Sequence, residues 1–436
     1  MNELAEQLNE QIRSVNPVAF EMLSDLGKRI YFPSKGILSQ SAEAKKLATN
    51  FNATIGTALN GKVAMNLPCV MNSLPGISPN DALLYAPSYG QKPLREAWKA
   101  KILHDNPSLE GVPFSLPVVA NGLTHALSLV GDLFVNPGDT VLMPNLNWDN
   151  YLLNFEDRLQ ANLEFFTFFE GNHINVKEFT AHLDKVPAGQ KIVVILNFPN
   201  NPTGYTPSEA EGEALAEILL KTAERGVKVV AVVDDAYYGL FYAPDAMTQS
   251  LFCKIAGKSR NLMVIKADAA TKECYVWGLR VGFISFAIGG AEKDSPLFTA
   301  MEAKAAGIVR AIISNGPALS QKLVADALTN PDFYAQRQKC VDTMRGRYEK
   351  VVEVLKAHPE YAEFFEPYPY NSGYFMCVHF ARLEADVVRR HLLQHYGAGC
   401  IAIGRENLRV AFSSLSEDQV EPLFETIYKA CRDLAK

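Results

Sequence analysis

The stretch that decides the fold runs Lys191-Ile-Val-Val-Ile-Leu-Asn197-Phe-Pro-Asn-Asn-Pro-Thr-Gly204, passes through a mixed segment from Ser208 to Gly226, and returns to Val227-Lys-Val-Val-Ala-Val-Val-Asp234. Each end holds a short β-branched run with almost no polar position, the pattern of a strand covered on both faces. Between the runs, Leu215, Ile218, Leu219 and Ala223 recur at helical spacing, and Gly226 is placed to cap the helix C-terminus. Strand, helix and strand in succession form a parallel crossover unit. Working outward, Thr140-Val-Leu-Met143 and Asn261-Leu-Met-Val-Ile265 add two more buried strands. The expected fold class is α/β, with a large domain whose mostly parallel sheet carries helices on both faces. Ligands of such sheets gather at the carboxyl ends of the strands, where loops converge on helix N-termini.

The flanks read differently. Residues 1 to about 75 are rich in loop-forming residues. The last third carries amphipathic helices, Cys340 to Ala357 and Gln419 to Leu434, around a β-rich stretch at Tyr374-Phe-Met-Cys-Val378. A smaller α+β domain built from both termini is the simplest arrangement. The expected division is an N-terminal arm and part of the small domain at 1–75, a large domain at 76–320, and the remaining small domain at 321–436.

Composition excludes several classes. A chain of 436 residues, 48% apolar, buries a sizeable core. A net charge of -6 with no basic run argues against a nucleic-acid partner. Seven scattered cysteines without a CxxC pair disfavour both a disulfide framework and a structural zinc site, and fit a reducing compartment. The N-terminal segment is polar, and no apolar run approaches membrane-spanning length, so the expected location is cytoplasmic, with no membrane partner.

Three strands end in polar clusters. The first runs into Asn197-Phe-Pro-Asn-Asn-Pro-Thr-Gly204, where two prolines and a glycine fix the backbone and hold an asparagine amide in place. The second meets Asp234-Asp-Ala-Tyr237, a carboxylate directly after an apolar run, which is costly to bury without a partner. The third, ending at Ile265, leads to Lys266-Ala-Asp-Ala-Ala-Thr-Lys272 and to Trp277-Gly-Leu-Arg280-Val-Gly-Phe283, an arginine read as lying within an apolar strand. Earlier, Asn121-Gly-Leu-Thr-His125 opens a helix on a glycine turn, and backbone N–H groups at a helix start can hold an anion such as phosphate.

Together these clusters offer an amine, a carboxylate, a phenol, an amide, an arginine and a helix start. That inventory matches the needs of pyridoxal phosphate: an amine to form a Schiff base with its aldehyde, a carboxylate to keep its pyridine nitrogen protonated, and cationic or N–H donors for its phosphate. The order and spacing of the motifs resemble the class I/II (aspartate aminotransferase-like) family of fold-type I pyridoxal-phosphate enzymes over roughly residues 60 to 430. Tyr85-Ala-Pro-Ser-Tyr-Gly-Gln-Lys-Pro-Leu-Arg95 is similar to the segment whose tyrosine reaches the phosphate of the neighbouring subunit, and Asn147-Trp148-Asp-Asn150 to the segment whose aromatic ring stacks on the pyridine. Asn201-Pro-Thr-Gly, Asp234, Lys272, Arg280 and Asn407-Leu-Arg409-Val-Ala-Phe412 follow in the family's order.

The resemblance implies a role for each position. Lys272 would be the Schiff-base lysine and Asp234 the pyridinium partner, with Tyr237 and Asn201 on the ring oxygen and Trp148 on the ring face. Arg280, Thr124, the Leu123 backbone and Tyr85 would serve the phosphate, and Arg409 would grip the substrate α-carboxylate in a bidentate pair. Ile308-Val-Arg310-Ala-Ile-Ile-Ser314-Asn315 resembles the segment whose arginine binds the distal carboxylate of aspartate, glutamate or 2-oxoglutarate; an ordinary polar helix residue is the alternative for Arg310. The implied activity is amino transfer between an amino acid (aspartate, glutamate or aromatic) and a 2-oxo acid, in a homodimer.

The sequence also departs from the family pattern. Ala269 and Thr271 stand where serines are usual, which removes one phosphate hydroxyl, and Asn66-Leu-Pro-Cys69 replaces a glycine-rich stretch. Lys266, also placed at a strand end, competes with Lys272, but only Lys272 has the family's spacing to Arg280. Asp235 is expected to face solvent or cap a loop, and His125, His391 and His395 to be helix residues, with no metal site. A lyase or decarboxylase on the same scaffold is the alternative activity. A ligand-sensing regulator is disfavoured, since the chain has no room for a DNA-binding module before residue 60.

Overall fold

Seven strands form the central sheet of the computed structural model, which describes residues 1–33 and 36–435. They are β1 (Val118–Ala120), β2 (Thr140–Pro144), β3 (Asn162–Phe166), β4 (Lys191–Asn197), β5 (Lys228–Asp234), β6 (Leu262–Ala269) and β7 (Gly282–Ala287). Their order across the sheet is β1-β7-β6-β5-β4-β2-β3. Only β7 runs against its neighbours, pairing antiparallel with both β6 and β1. The interior of β4 and β5 is buried at every position, as their unbroken apolar runs require.

The crossover from β4 to β5 is the helix Glu209–Glu224, and its ends are specified by chemistry. Ser208 accepts from the Glu211 backbone N–H, while the Glu211 carboxylate accepts from the Ser208 backbone N–H at 2.8 Å, a reciprocal capping box. The same carboxylate accepts from the Tyr205 hydroxyl at 2.7 Å and from the Ile174 backbone N–H at 2.9 Å. Leu215, Ala216, Leu219 and Ala223 face the sheet, and Gly226 ends the turn at a φ of +87°.

Both termini build the second layer. A four-stranded antiparallel sheet has the order Phe365–Pro367, Met376–Phe380, Asn407–Val410, Ile401–Ile403. Phe51–Asn52 from the N-terminal side pairs in parallel with Ala398–Gly399. Helices Phe333–Ala357 and Glu417–Leu434 lie where the amphipathic periodicity places them, the first starting seven residues earlier.

Three expectations need correction. The first 75 residues are not loop-rich: helices run over Glu3–Val15, Pro17–Glu21, Asp25–Arg29 and Ile37–Leu47, and Asn2, Asn16 and Ser24 cap the first three through their side chains. β6 does not stop at Ile265 but continues to Ala269, because Lys266 and Asp268 on one face of it are buried with charged partners. Arg280 lies in a turn rather than a strand, with a left-handed φ of +53°, directly after the short 3-10 turn Trp277–Leu279.

Replacing Glu211 by Ala removes the capping box and strands the Tyr205 hydroxyl and the Ile174 amide. Equilibrium urea unfolding is expected to show a loss of about 3 kcal/mol, and Glu211→Gln a smaller one. Equal stability of Glu211→Ala and wild type would contradict this account of the crossover.

Candidate active site

A cavity of about 360 Å3 opens at the carboxyl ends of β4 and β5, and both layers contribute to its wall. Register explains why its polar groups meet. Asp234, the last residue of β5, pairs with Asn197 of β4 on one side and Ala267 of β6 on the other. The Asp234 carboxylate is buried and accepts from the Tyr151 hydroxyl at 2.6 Å, the Ala236 backbone N–H at 3.0 Å and the Asn197 amide at 3.2 Å. Even so, burial lifts its pKa to about 6 against the lowering effect of the Tyr151 and Ala236 donors and of Lys272.

Lys272 sits on a single helical turn, Ala270–Glu273, that follows β6. Its ammonium nitrogen lies 4.7 Å from the centre of the Tyr237 ring and lines the cavity. Burial lowers its pKa to about 8; Asp234 opposes the shift and Arg280 adds to it. Lys266 is elsewhere. It is 1% exposed, absent from the cavity wall, and paired with Asp235 and Asp268.

The helix Leu123–Phe134 begins at the cavity, where Leu123 and Thr124 line the wall. Gly122, at a φ of +82°, caps it, and a Cβ there would come within 2.3 Å of the Arg280 guanidinium. The glycine therefore lets the helix start and Arg280 converge. The second layer contributes Arg409, which is 3% exposed, donates to the Asn201 side-chain oxygen at 3.0 Å and the Thr54 carbonyl at 3.2 Å, and lies 4.1 Å from the centre of the Phe375 ring.

The structure thus brings Leu123, Thr124, Trp148, Asn201, Asp234, Tyr237, Lys272, Arg280 and Arg409 to one cavity. It does not bring Tyr85 or Arg310 there. Tyr85 is 92% exposed, and Arg310, on helix Pro296–Ile312, is exposed and bonded to the Ser314 hydroxyl at 2.5 Å. Asp235 is a correction: it is 1% exposed, held by Lys266 and by the Ser250 hydroxyl at 2.6 Å, so it neither faces solvent nor caps a loop.

Sequence inspection missed several wall residues. Tyr151 follows Trp148 by three residues, at the start of the next helical segment, and its ring packs edge-on against the indole. Asn197 is the strand-end residue in register with Asp234. Ile37, Leu38, Ile55, Gly56 and Phe375 come from distant segments and carry no local signal.

Known proteins share the sequence pattern and the fold of this chain. The sequence profile of the family "Aminotransferase class I and II" matches residues 50–427. The chain is 28% identical over 275 residues to a probable aspartate/prephenate aminotransferase of Aquifex aeolicus, covering 61% of this chain and 60% of that protein. It is 24% identical over 240 residues to the cytoplasmic aspartate aminotransferase of Saccharomyces cerevisiae, covering 54% and 56% respectively. These alignments span a little over half of each relative's length. In structure it resembles an aminotransferase of Anaerococcus prevotii, with a TM-score of 0.80 at 22% identity, covering 94% of this chain and 99% of that one. The chain belongs to the class I and II aminotransferase family.

Members of that family use pyridoxal 5'-phosphate, and the residues present fit it. The Thr271 hydroxyl, the Trp277 indole N–H and the Arg409 Nε are buried atoms on residues of the cavity wall without a hydrogen-bond partner among the described residues. Thr271 keeps a hydroxyl where a serine is usual, so only Ala269 loses one. Lys272, Asp234 and the Arg280–Gly122 cradle would supply the amine, the acid and the anion site.

The raised pKa of Asp234 gives a signed prediction for the cofactor-free protein. A carboxyl bound more tightly to its proton in the folded state stabilises below its ordinary pKa of 3.8 and loses that contribution as pH rises through about 6. Relative to Asp234→Asn, wild type should therefore lose about 3 kcal/mol between roughly pH 4 and 7. A pH-independent difference in urea unfolding would overturn the assignment of the shift.

Proposed function

We propose that the protein is a pyridoxal-phosphate-dependent amino-acid aminotransferase, moving an amino group between an amino acid (aspartate, glutamate or aromatic) and a 2-oxo acid such as 2-oxoglutarate. The observation that carries this is the meeting of a buried amine, Lys272, and a buried acid, Asp234, in one cavity with the Arg409 guanidinium. When bound, the cofactor supplies an electron sink conjugated to the substrate α-carbon.

The chain's own groups do the rest. Asp234 would hold the proton on the pyridine nitrogen, a task suited to a carboxylate already enclosed by three donors. Asn201 and Tyr237 would address the ring oxygen, Trp148 the ring face, and Arg280 with the start of helix Leu123–Phe134 the phosphate. Arg409 orients the substrate by its α-carboxylate; its guanidinium is braced by Asn201 and Thr54, so little rotamer entropy is lost on binding. The Lys272 amine, lowered to about 8, takes the proton from the substrate α-carbon and returns it on the other side of the transfer.

Tyr85 and Arg310 lie exposed and outside the cavity of their own chain. A homodimer in which a second copy presents both residues accounts for their position, with Tyr85 serving the phosphate and Arg310 a distal substrate carboxylate. The free cysteines agree with a cytoplasmic setting. Among the described residues no helix is long and apolar enough to cross a membrane.

Half-reactions with single amino donors test this reading. Aspartate or glutamate should convert the loaded enzyme to its aminated form and release the matching 2-oxo acid, and Arg310→Ala should lower that rate by about 100-fold while sparing an aromatic donor. Unchanged dicarboxylate rates in Arg310→Ala would remove its role; release of ammonia and pyruvate from a three-carbon donor with a β-leaving group, such as serine or cysteine, would replace amino transfer by elimination.

A further inference from the structure

Asp234, Tyr237 and Lys272 share a feature that their own chemistry does not require. Each is followed directly by a buried polar residue, Asp235, Tyr238 and Glu273, and none of these three lines the cavity. They converge instead on a cluster of buried charge behind it. The Asp235 carboxylate accepts from the Lys266 ammonium, which also pairs with Asp268 at 3.0 Å and lies 5.1 Å from the centre of the Tyr238 ring. The Lys101 ammonium, 5.7 Å from the same ring, pairs with Glu273 and with Asp105, the latter at 2.7 Å. Arg337 donates to the backbone carbonyls of Glu273 at 3.2 Å and of Tyr238 at 3.3 Å.

Such a cluster is a weak source of stability, because well-packed apolar side chains of similar volume often hold a fold as well as buried ion pairs do. What ion pairs provide and apolar packing does not is direction: each pair fixes the placement of the residue that carries it. Asp235 has its backbone N–H bonded to the Ala267 carbonyl and its side chain bonded to Lys266, which fixes the backbone immediately after Asp234. Glu273 is held at both its carboxylate and its carbonyl, immediately after Lys272. The Gly239 position closes the arrangement, since a Cβ there would lie 1.8 Å from the Arg337 guanidinium.

We propose that Lys266, Asp235, Lys101, Glu273 and Arg337 form a positioning frame for the site, which aims Asp234, Tyr237 and Lys272 into the cavity by anchoring the residue after each. The frame rests on the reading of that cavity as the cofactor site. None of its members touches cofactor or substrate, so each is a positioning residue.

Two variants and two readouts test the frame. Lys266→Met removes the cation under Asp235, and Glu273→Gln keeps shape while removing charge. The first readout is the pH dependence of labelling of the Lys272 amine by a small acylating reagent in the protein without added pyridoxal phosphate, followed by peptide mass spectrometry. The second is the single-turnover rate and apparent donor affinity of the loaded enzyme. Both variants are expected to move the Lys272 titration by about half a pH unit or more. They should also slow the turnover about ten-fold with donor affinity within about three-fold of wild type. Lys266→Arg is expected to recover most of the rate. Folded variants with wild-type titration and wild-type rate would reduce the cluster to a structural one and overturn the proposal. If Lys266→Met does not fold, Glu273→Gln carries both readouts. A wild-type protein that takes up no pyridoxal phosphate would end the functional reading, while the amine titration would still decide the frame.

Discussion

A carboxylate at the end of a fully buried parallel strand keeps its charge only if the surrounding backbone and side chains supply donors, and Asp234 sets that requirement for the rest of the structure. The parallel register meets part of it by placing Asn197 beside Asp234. The helical segment after β2 supplies the Tyr151 hydroxyl, and the turn after β5 supplies the Ala236 amide. The resulting acid, pushed up to about 6 yet facing a lysine brought down to about 8, is a pair of groups whose ordinary ionisations have been drawn together by burial. Such a pair suits chemistry in which a proton is held at one place and moved at another.

The second layer is bound to this arrangement through Arg409. Its strand, Asn407–Val410, is central in the four-stranded sheet, and its guanidinium crosses to the Asn201 amide of the large sheet's loop. The same loop packs so closely on the second layer that a Cβ at Gly204 would lie 1.9 Å from the Phe375 carbonyl. The cavity is therefore formed by two layers whose contact is fixed at backbone distance, and the groups that would grip the substrate carboxylate and the cofactor ring are coupled through a single hydrogen bond.

Much of this was legible from local sequence, for a physical reason. A carboxylate directly after Val227-Lys-Val-Val-Ala-Val-Val, or a lysine eight residues before an arginine, stands out because burial makes polar residues rare in such places. Residues that act through non-local contact were not legible. Ile55, Gly56 and Phe375 reach the wall only because the terminal segments fold over the sheet. Asp235 and the end of β6 were misjudged together, because each charge looks solvent-bound until its partner is known: Lys266 belongs in a strand only when Asp235 and Asp268 surround it. The N-terminal helices were missed because Pro17–Glu21 and Asp25–Arg29 are too short to show an apolar period, the longer Glu3–Val15 is predominantly polar, and the caps of all three, Asn2, Asn16 and Ser24, are residues equally common in loops.

The account depends most directly on which lysine holds the cofactor. Incubation with pyridoxal phosphate, reduction with borohydride and peptide mapping would locate the pyridoxyl group. The label is expected on Lys272 alone and to be lost in Lys272→Ala. A label on Lys266, or an unchanged yield in Lys272→Ala, would contradict the account.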